Sequence, residues 1–161
     1  MLSNKKVLLI LIIVLIYVFL SGIQRPDIIT ESDYIVKENL LFRYEVNKYQ
    51  SSVEVVSFEQ GQNISLGMDT TPSNLNFGFI PKDSLSRRFF NITNLGKSEA
   101  KVVFEVTGNI ESFVKFNTDE FFMKGGEKIN VMVYFNSTDV EPGNYSGNIY
   151  VIMEKSKYDI F

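Results

Sequence analysis

Between residues 128 and 135 apolar and polar side chains alternate without a break: Ile129, Val131, Val133 and Phe135 stand against Lys128, Asn130, Met132 and Tyr134. A period of two sends alternate side chains to opposite faces, so this run suits a half-buried strand and spoils the apolar stripe of a helix. A lone strand or hairpin buries too little to be stable, so this run needs further strands and a second layer. On this reading Ile129, Val131, Val133 and Phe135 are core residues.

The neighbouring sequence supplies those strands. Leu75-Asn76-Phe77-Gly78-Phe79 alternates between Pro72 and Pro81. In Arg88-Phe89-Phe90-Asn91-Ile92-Thr93, Phe90 and Ile92 share one face, and Asn94-Leu95-Gly96-Lys97-Ser98 follows as a turn. Lys101 to Thr107 turns Val102, Phe104 and Val106 inward. Short strands are expected at Phe113-Val114-Phe116 and Phe121-Phe122-Met123, with Lys124-Gly125-Gly126 as a tight turn. The last run puts Tyr145, Gly147, Ile149, Val151 and Met153 on one face. About seven short strands with regular turn signals predict an all-β fold, an antiparallel β-sandwich. No sustained helical period occurs beyond the first residues.

The region from Pro26 to Gln62 is less patterned. Thr30 to Asp33 reads as a polar stalk. Phe42, Tyr44 and Val46 alternate, as do Val53 and Val55, which fits a hairpin turning at Asn47–Ser51. A helix starting near Ser32 fits nearly as well, and strands are the preferred expectation.

From Val7 to Ile23 the chain carries no charge, and Lys5 and Lys6 precede that run. Its length lies at the lower edge of the roughly 17–25 residues that span a bilayer, and exceeds the about 7–15 of a secretory apolar region. Small residues do not fall at alternate positions there: Gly22 is matched with Leu20, and Ser21 with Phe19. The expectation is one uncleaved N-terminal transmembrane helix, a signal anchor, with a cleaved signal peptide as the alternative. Lys5 and Lys6 would hold the N-terminus in the cytoplasm. The chain is then a single-pass cell-membrane protein with its C-terminal domain extracytoplasmic.

Charge decides how Arg87-Arg88-Phe89-Phe90 is read. The chain has 16 basic and 19 acidic residues. Lys5, Lys6 and Arg25 precede the first carboxylate, so the remainder is more acidic still. Such a domain repels phosphate, and no nucleic-acid partner is expected. Cysteine and histidine are absent, which removes disulfides, thiolate chemistry and the usual neutral-pH base.

Four Asn-X-Ser/Thr sequons make Asn63, Asn91, Asn136 and Asn144 candidate N-glycosylation acceptors. About two such matches arise by chance in a chain this rich in Asn, Ser and Thr. Other signals are weaker. Asp119-Glu120 lacks the ligand spacing of a calcium loop, and Asp139-Val140-Glu141 sits in a Pro-Gly turn without an aromatic platform. Gly125-Gly126 leads no helix and is no phosphate loop. No catalytic, metal or cofactor residue is assigned, and an enzyme is not expected.

The Leu75–Ile80 strand, the Phe90–Gly96 strand ending in Asn-Leu-Gly, and Tyr145-Ser146-Gly147-Asn148-Ile149-Tyr150-Val151 together resemble the Ig-like domains of the major-sperm-protein and ASH (hydin-type) kind and related microbial surface modules. The likeness covers about Ile64 to Met153 and implies an Ig-like sandwich that binds or scaffolds. A weaker likeness is to camelysin-type fibre subunits, whose long insertions are absent here. The anchored layout is also similar to archaellum stator accessory proteins, which implies an envelope partner.

The expected organisation is therefore an anchor at 1–25, a stalk or extra strands at 26–62, the sandwich at 63–155 and a tail at 156–161. The expected role is non-enzymatic binding or scaffolding in the cell envelope, partnered by the membrane and an envelope or surface protein. The alternative is a self-associating surface-fibre subunit, in which a segment between Ser32 and Phe58 adds as a strand to a neighbour.

Overall fold

The computed structural model of the chain describes residues 4–57 and 74–158. One helix, α1 (Asn4–Ile23), is followed by nine strands: β1 (Tyr34–Glu38), β2 (Phe42–Val56), β3 (Gly78–Pro81), β4 (Leu85–Thr93), β5 (Ala100–Gly108), β6 (Val114–Phe116), β7 (Glu120–Met123), β8 (Lys128–Asn136) and β9 (Gly143–Ser156). They form two facing sheets. The wide one has the order β1-β2-β9-β5-β7, with β3 lying parallel to the second half of β2; the narrow one has the order β4-β8-β6. Seven of the strands fall after Asn74, as the turn spacing predicts.

The core between the sheets forms where the alternating runs meet. Val131, Val133 and Phe135 of β8 are fully buried against Val102, Ile149 and Val151 of the wide sheet. Some residues expected to face the core are only half-buried, among them Ile129, Phe104 and Val106. Phe104 stacks on Phe116 at 4.3 Å between ring centroids. The cause is length: β6 is three residues long, so the narrow sheet stops short over β5. The alternation at 75–79 also shifts phase. Leu75 and Phe77 are buried, but Gly78 has φ 75° and turns the chain, so Ile80 is buried next and Phe79 is exposed. Glycine takes this left-handed conformation without steric cost.

The hairpin lies one strand earlier than expected. Residues 47–51 are the middle of β2, which pairs with β9 from Phe42↔Ser156 to Val55↔Gly143. The turn is instead at Asn39–Leu41, where the Asn39 side chain accepts from the amides of Leu41 and Phe42. The strand period does not report this, because Asn47–Ser51 is polar enough to look like a loop while its backbone remains fully laddered.

Residues 26–33, expected as a stalk, lie across the outer face of the wide sheet. Ile28 is buried there with Tyr44, Val46, Tyr150 and Ile152. Lys48 reaches up to the Glu31 carbonyl and stands 3.7 Å from the Asp33 carboxylate. Both faces of β9 are thereby covered, which is why Ile149 to Met153 is apolar without alternation.

The expected transmembrane helix is not supported by the helix that forms. Among the described residues no helix is long and apolar enough to cross a membrane. From Leu8 to Leu20 every side chain of α1 is hydrophobic and exposed. At about 1.5 Å per residue that stretch rises roughly 20 Å, against about 30 Å of hydrocarbon. The end of α1 is tied to the β1–β2 turn: the Leu40 amide donates to the Gly22 carbonyl at 2.8 Å, and the Asn39 side chain donates to that of Ile23.

Candidate functional site

The two sheets differ in width, and the difference leaves a groove. β4 pairs with β8 along one edge, and among the described residues no strand pairs with its other edge. Beyond that edge the wide sheet continues uncovered through β2 and β1. The period of two puts Tyr34, Val36 and Glu38 of β1 on the same face as Arg43, Glu45, Asn47 and Tyr49 of β2. In β9 the matching residues are Val151, Met153 and Lys155. A further strand on β4 would lie over this floor.

Two adjoining cavities record the groove. One, of about 340 Å³, lies between Asn91, Ile92 and Thr93 of β4 and the floor residues Tyr49, Val151 and Met153. The other, of about 580 Å³, continues past Leu95 and Gly96 to Glu38, Arg43 and Lys157. The first part mixes Ile92, Val151 and Met153 with Glu45, Asn47, Asn91 and Thr93, and the second is charged. Glu45 is held by Lys155 at 2.7 Å and by Arg43 at 3.5 Å. Glu38 pairs with Lys157 at 2.8 Å, and that hydrogen bond and charge hold its carboxyl below the usual range. Burial pushes the Tyr49 phenol up. An exposed backbone edge above a floor of mixed apolar and polar side chains can receive an extended chain: amides and carbonyls hold its backbone, and the floor takes alternate side chains.

The far half of β4 is more occupied. Arg88 Nε donates to the Asn76 carbonyl at 2.7 Å, so one of the two arginines ties β4 to the segment before β3. Arg87 and Phe89 face outward.

Asn94, which reads in sequence only as a turn residue, organises the near end. It is fully buried, and its side-chain amide donates to the carbonyls of Ser98, Met123 and Lys124 while its oxygen accepts from the Gly96 amide. No sequence signal singles it out from other Asn-X-Gly turns. Glu45–Lys155 was missed for another reason: its partners are 110 residues apart and meet only through the β2–β9 register.

The candidate acceptor asparagines are not gathered together. Asn91 is exposed on β4 beside the groove, where the Asn130 side chain donates to its oxygen at 3.2 Å. Asn136 and Asn144 are exposed at the opposite end, on either side of the 137–143 loop. The Asn136 oxygen accepts from its own sequon's Thr138 hydroxyl at 2.7 Å. Asn63 lies outside the described residues. The carboxylates are engaged singly, Glu120 with Lys101 at 2.7 Å and Glu141 with Lys82 at 3.0 Å. The Glu141 hydrogen bond pushes the Lys82 amine up. Among the described residues, no group of three or more potential metal ligands gathers. Gly125 backs onto Lys97, where an added Cβ would meet the Lys97 carbonyl oxygen at 2.2 Å, so this glycine permits two turns to touch.

A family model described as HYDIN/CFA65/VesB-like, Ig-like domain matches residues 67–161, more than half of the chain. The matched span holds β3 to β9, hence all of the narrow sheet and the β4 edge. No curated protein is a significant match.

Proposed function

The chain belongs to the HYDIN/CFA65/VesB-like Ig-like domain family, and on that premise we propose that it is a non-enzymatic binding or scaffolding module, held at the cell membrane by α1 with its sandwich on the extracytoplasmic side. The observation that carries the binding role is the edge of β4 that pairs with no strand among the described residues, beside the groove over β1 and β2. The ligand it suits is an extended segment of an envelope or surface protein, added as a strand to β4.

Two features support the membrane reading. α1 is hydrophobic on all sides from Leu8 to Leu20 and none of that surface is covered by the sandwich; such a helix is at home in lipid. Lys5 and Lys6 come just before that apolar stretch, as the positive-inside tendency requires of a cytoplasmic end. Its shortness is accommodated by local thinning of the bilayer at modest cost. The fibre alternative fits less well in its original form. The segment from Ser32 to Phe58 contains β1 and β2, and β2 would have to leave its long pairing with β9 to act as a donor.

A photoreactive residue placed at Asn91 or Thr93 should crosslink to one discrete envelope protein in intact membranes, whereas the same residue at Lys115 on β6 should not. Equal labelling from both edges, or none from β4, rejects the β4 site. Separately, deleting residues 1–23 should move the protein from the alkali-washed membrane pellet to the supernatant. Unchanged partitioning would reject the anchor.

A further inference from the structure

The end of the sandwich that carries α1 has a composition of its own. The pairings Ala100↔Lys155 and Arg43↔Lys155 place the start of β5 level with the start of β2. Ala100↔Met123 and Thr93↔Lys128 bring the turns at 94–99 and 124–127 to the same end. The β1–β2 turn is there too, hydrogen-bonded to the last turn of α1 through Leu40 and Gly22. Whatever surrounds α1 therefore meets these three turns first.

The turns present large apolar residues where soluble proteins usually place polar ones. Leu95 is 89% exposed and Leu40 42%. Leu95 is no floppy loop tip. It stands between Asn94, buried with its side-chain hydrogen bonds filled, and Gly96, whose amide is one of the donors to Asn94. Around it Lys97 and Lys124 are exposed, and neither makes an ion pair among the described residues. Glu99 and Glu127 also lie at this end, but Glu127 is turned back to accept from the Lys124 amide at 2.7 Å.

We propose that this end of the sandwich docks on the bilayer interface, with Leu95 and Leu40 entering the headgroup region and Lys97 and Lys124 reaching the headgroup phosphates. The proposal rests on α1 lying in the membrane. It adds that the sandwich sits on the surface rather than hanging from a free tether, which would hold the β4 groove at a set height and orientation. Rigidly presented leucines supply the apolar contact and the lysines the electrostatic one, the pairing that interfacial binding uses.

The chain has no cysteine, so single cysteines at Val14, Leu95 and Glu111 can each carry an environment-sensitive fluorophore on the full chain. Glu111 is exposed at the opposite end and serves as the control. In vesicles of phosphatidylcholine with phosphatidylserine, lipid-borne quenchers should quench the probes at 14 and 95 but not at 111. Lys97→Gln with Lys124→Gln should lower the docked-to-undocked ratio at 95 by a factor of about 25, at about fivefold for each lysine. Quenching at 14 without 95 overturns the docking and leaves the anchor standing. Quenching at neither position overturns both, and quenching at 95 alone rejects the anchor from which the docking geometry is drawn.

Discussion

Replacing Asn94 by alanine removes a buried amide that serves four backbone groups at once. The donor contacts run to Ser98 at 2.9 Å and to Met123 and Lys124 at 3.2 Å each, three carbonyls served by two amide hydrogens; the acceptor contact is from Gly96 at 3.0 Å. That amounts to about three effective hydrogen bonds, each worth roughly 0.5–1.5 kcal/mol net, with a further penalty for any carbonyl left dry. Some of the carbonyls recover water because the turns lie near the surface, so the expected loss is about 2–4 kcal/mol. Aspartate is the sharper test. It keeps the acceptor for Gly96 but aims a carboxylate at three carbonyl oxygens, in a site with no exposure. At neutral pH Asn94→Asp should therefore lose more than Asn94→Ala, since burying an uncompensated charge costs more than losing hydrogen bonds. The difference should shrink as pH falls and the introduced carboxyl protonates, because burial among carbonyl oxygens favours the neutral acid, an effect that the Lys155 ammonium on the other side of Gly96 reduces. Urea unfolding of the full chain in mild detergent, followed by circular dichroism at several pH values, measures both. A loss below about 1 kcal/mol for alanine, or an aspartate variant that tracks alanine at every pH, would refute the reasoning.

Gly147→Ala should abolish folding, because a Cβ there would lie 1.9 Å from the Thr107 carbonyl oxygen and 2.8 Å from Ile110 Cγ1; the circular dichroism spectrum and expression yield report it. Phe135→Ala, at a fully buried ring in contact with Phe77 and Phe113, should cost about 3–5 kcal/mol. Phe104→Ala should cost less, about 2–3 kcal/mol, because that ring is half-buried; the order of the two denaturation midpoints checks this. Burial raises the phenol pKa of Tyr44 and Tyr49 above 10.0, with the Glu154 charge adding to it at Tyr44. The folded state then holds these protons more tightly than the unfolded one, so their contribution is present below pH 10.0 and is lost as pH rises through the raised values. Tyr49→Phe should remove a late step from the phenolate absorbance titration; an unchanged curve would count against the burial argument.

Much of the groove's wall was legible and little of its floor. Phe90 and Ile92 inward with Asn91 outward follow from the alternation of one strand, and the structure has that pattern. That β4 is an edge strand depends on which strand pairs with which, and edge and central strands share the same local alphabet. Similarly, Glu45, Lys155 and Tyr34 become neighbours only after β1, β2 and β9 are in register. The candidate glycosylation sites are the reverse case. Their positions are local motifs readable at sight, and the tertiary structure adds only where Asn91, Asn136 and Asn144 sit around the sandwich.

By itself the sequence determined the all-β class, the facing of β8 and β9 and the turns after β4 and β7, because side-chain alternation and turn chemistry act over a few residues and scarcely depend on partners. It also determined that the run from Val7 to Ile23 is uncharged and mostly apolar. What only the tertiary structure decided is coverage. The 26–33 segment closes the outer face of the wide sheet and makes Tyr150 and Ile152 core residues. The short narrow sheet leaves Phe104 half-buried and, among the described residues, the β4 edge unpaired. Burial depends on what lies opposite a face, and that is fixed by pairings between residues far apart in the chain, to which a local period of two is blind.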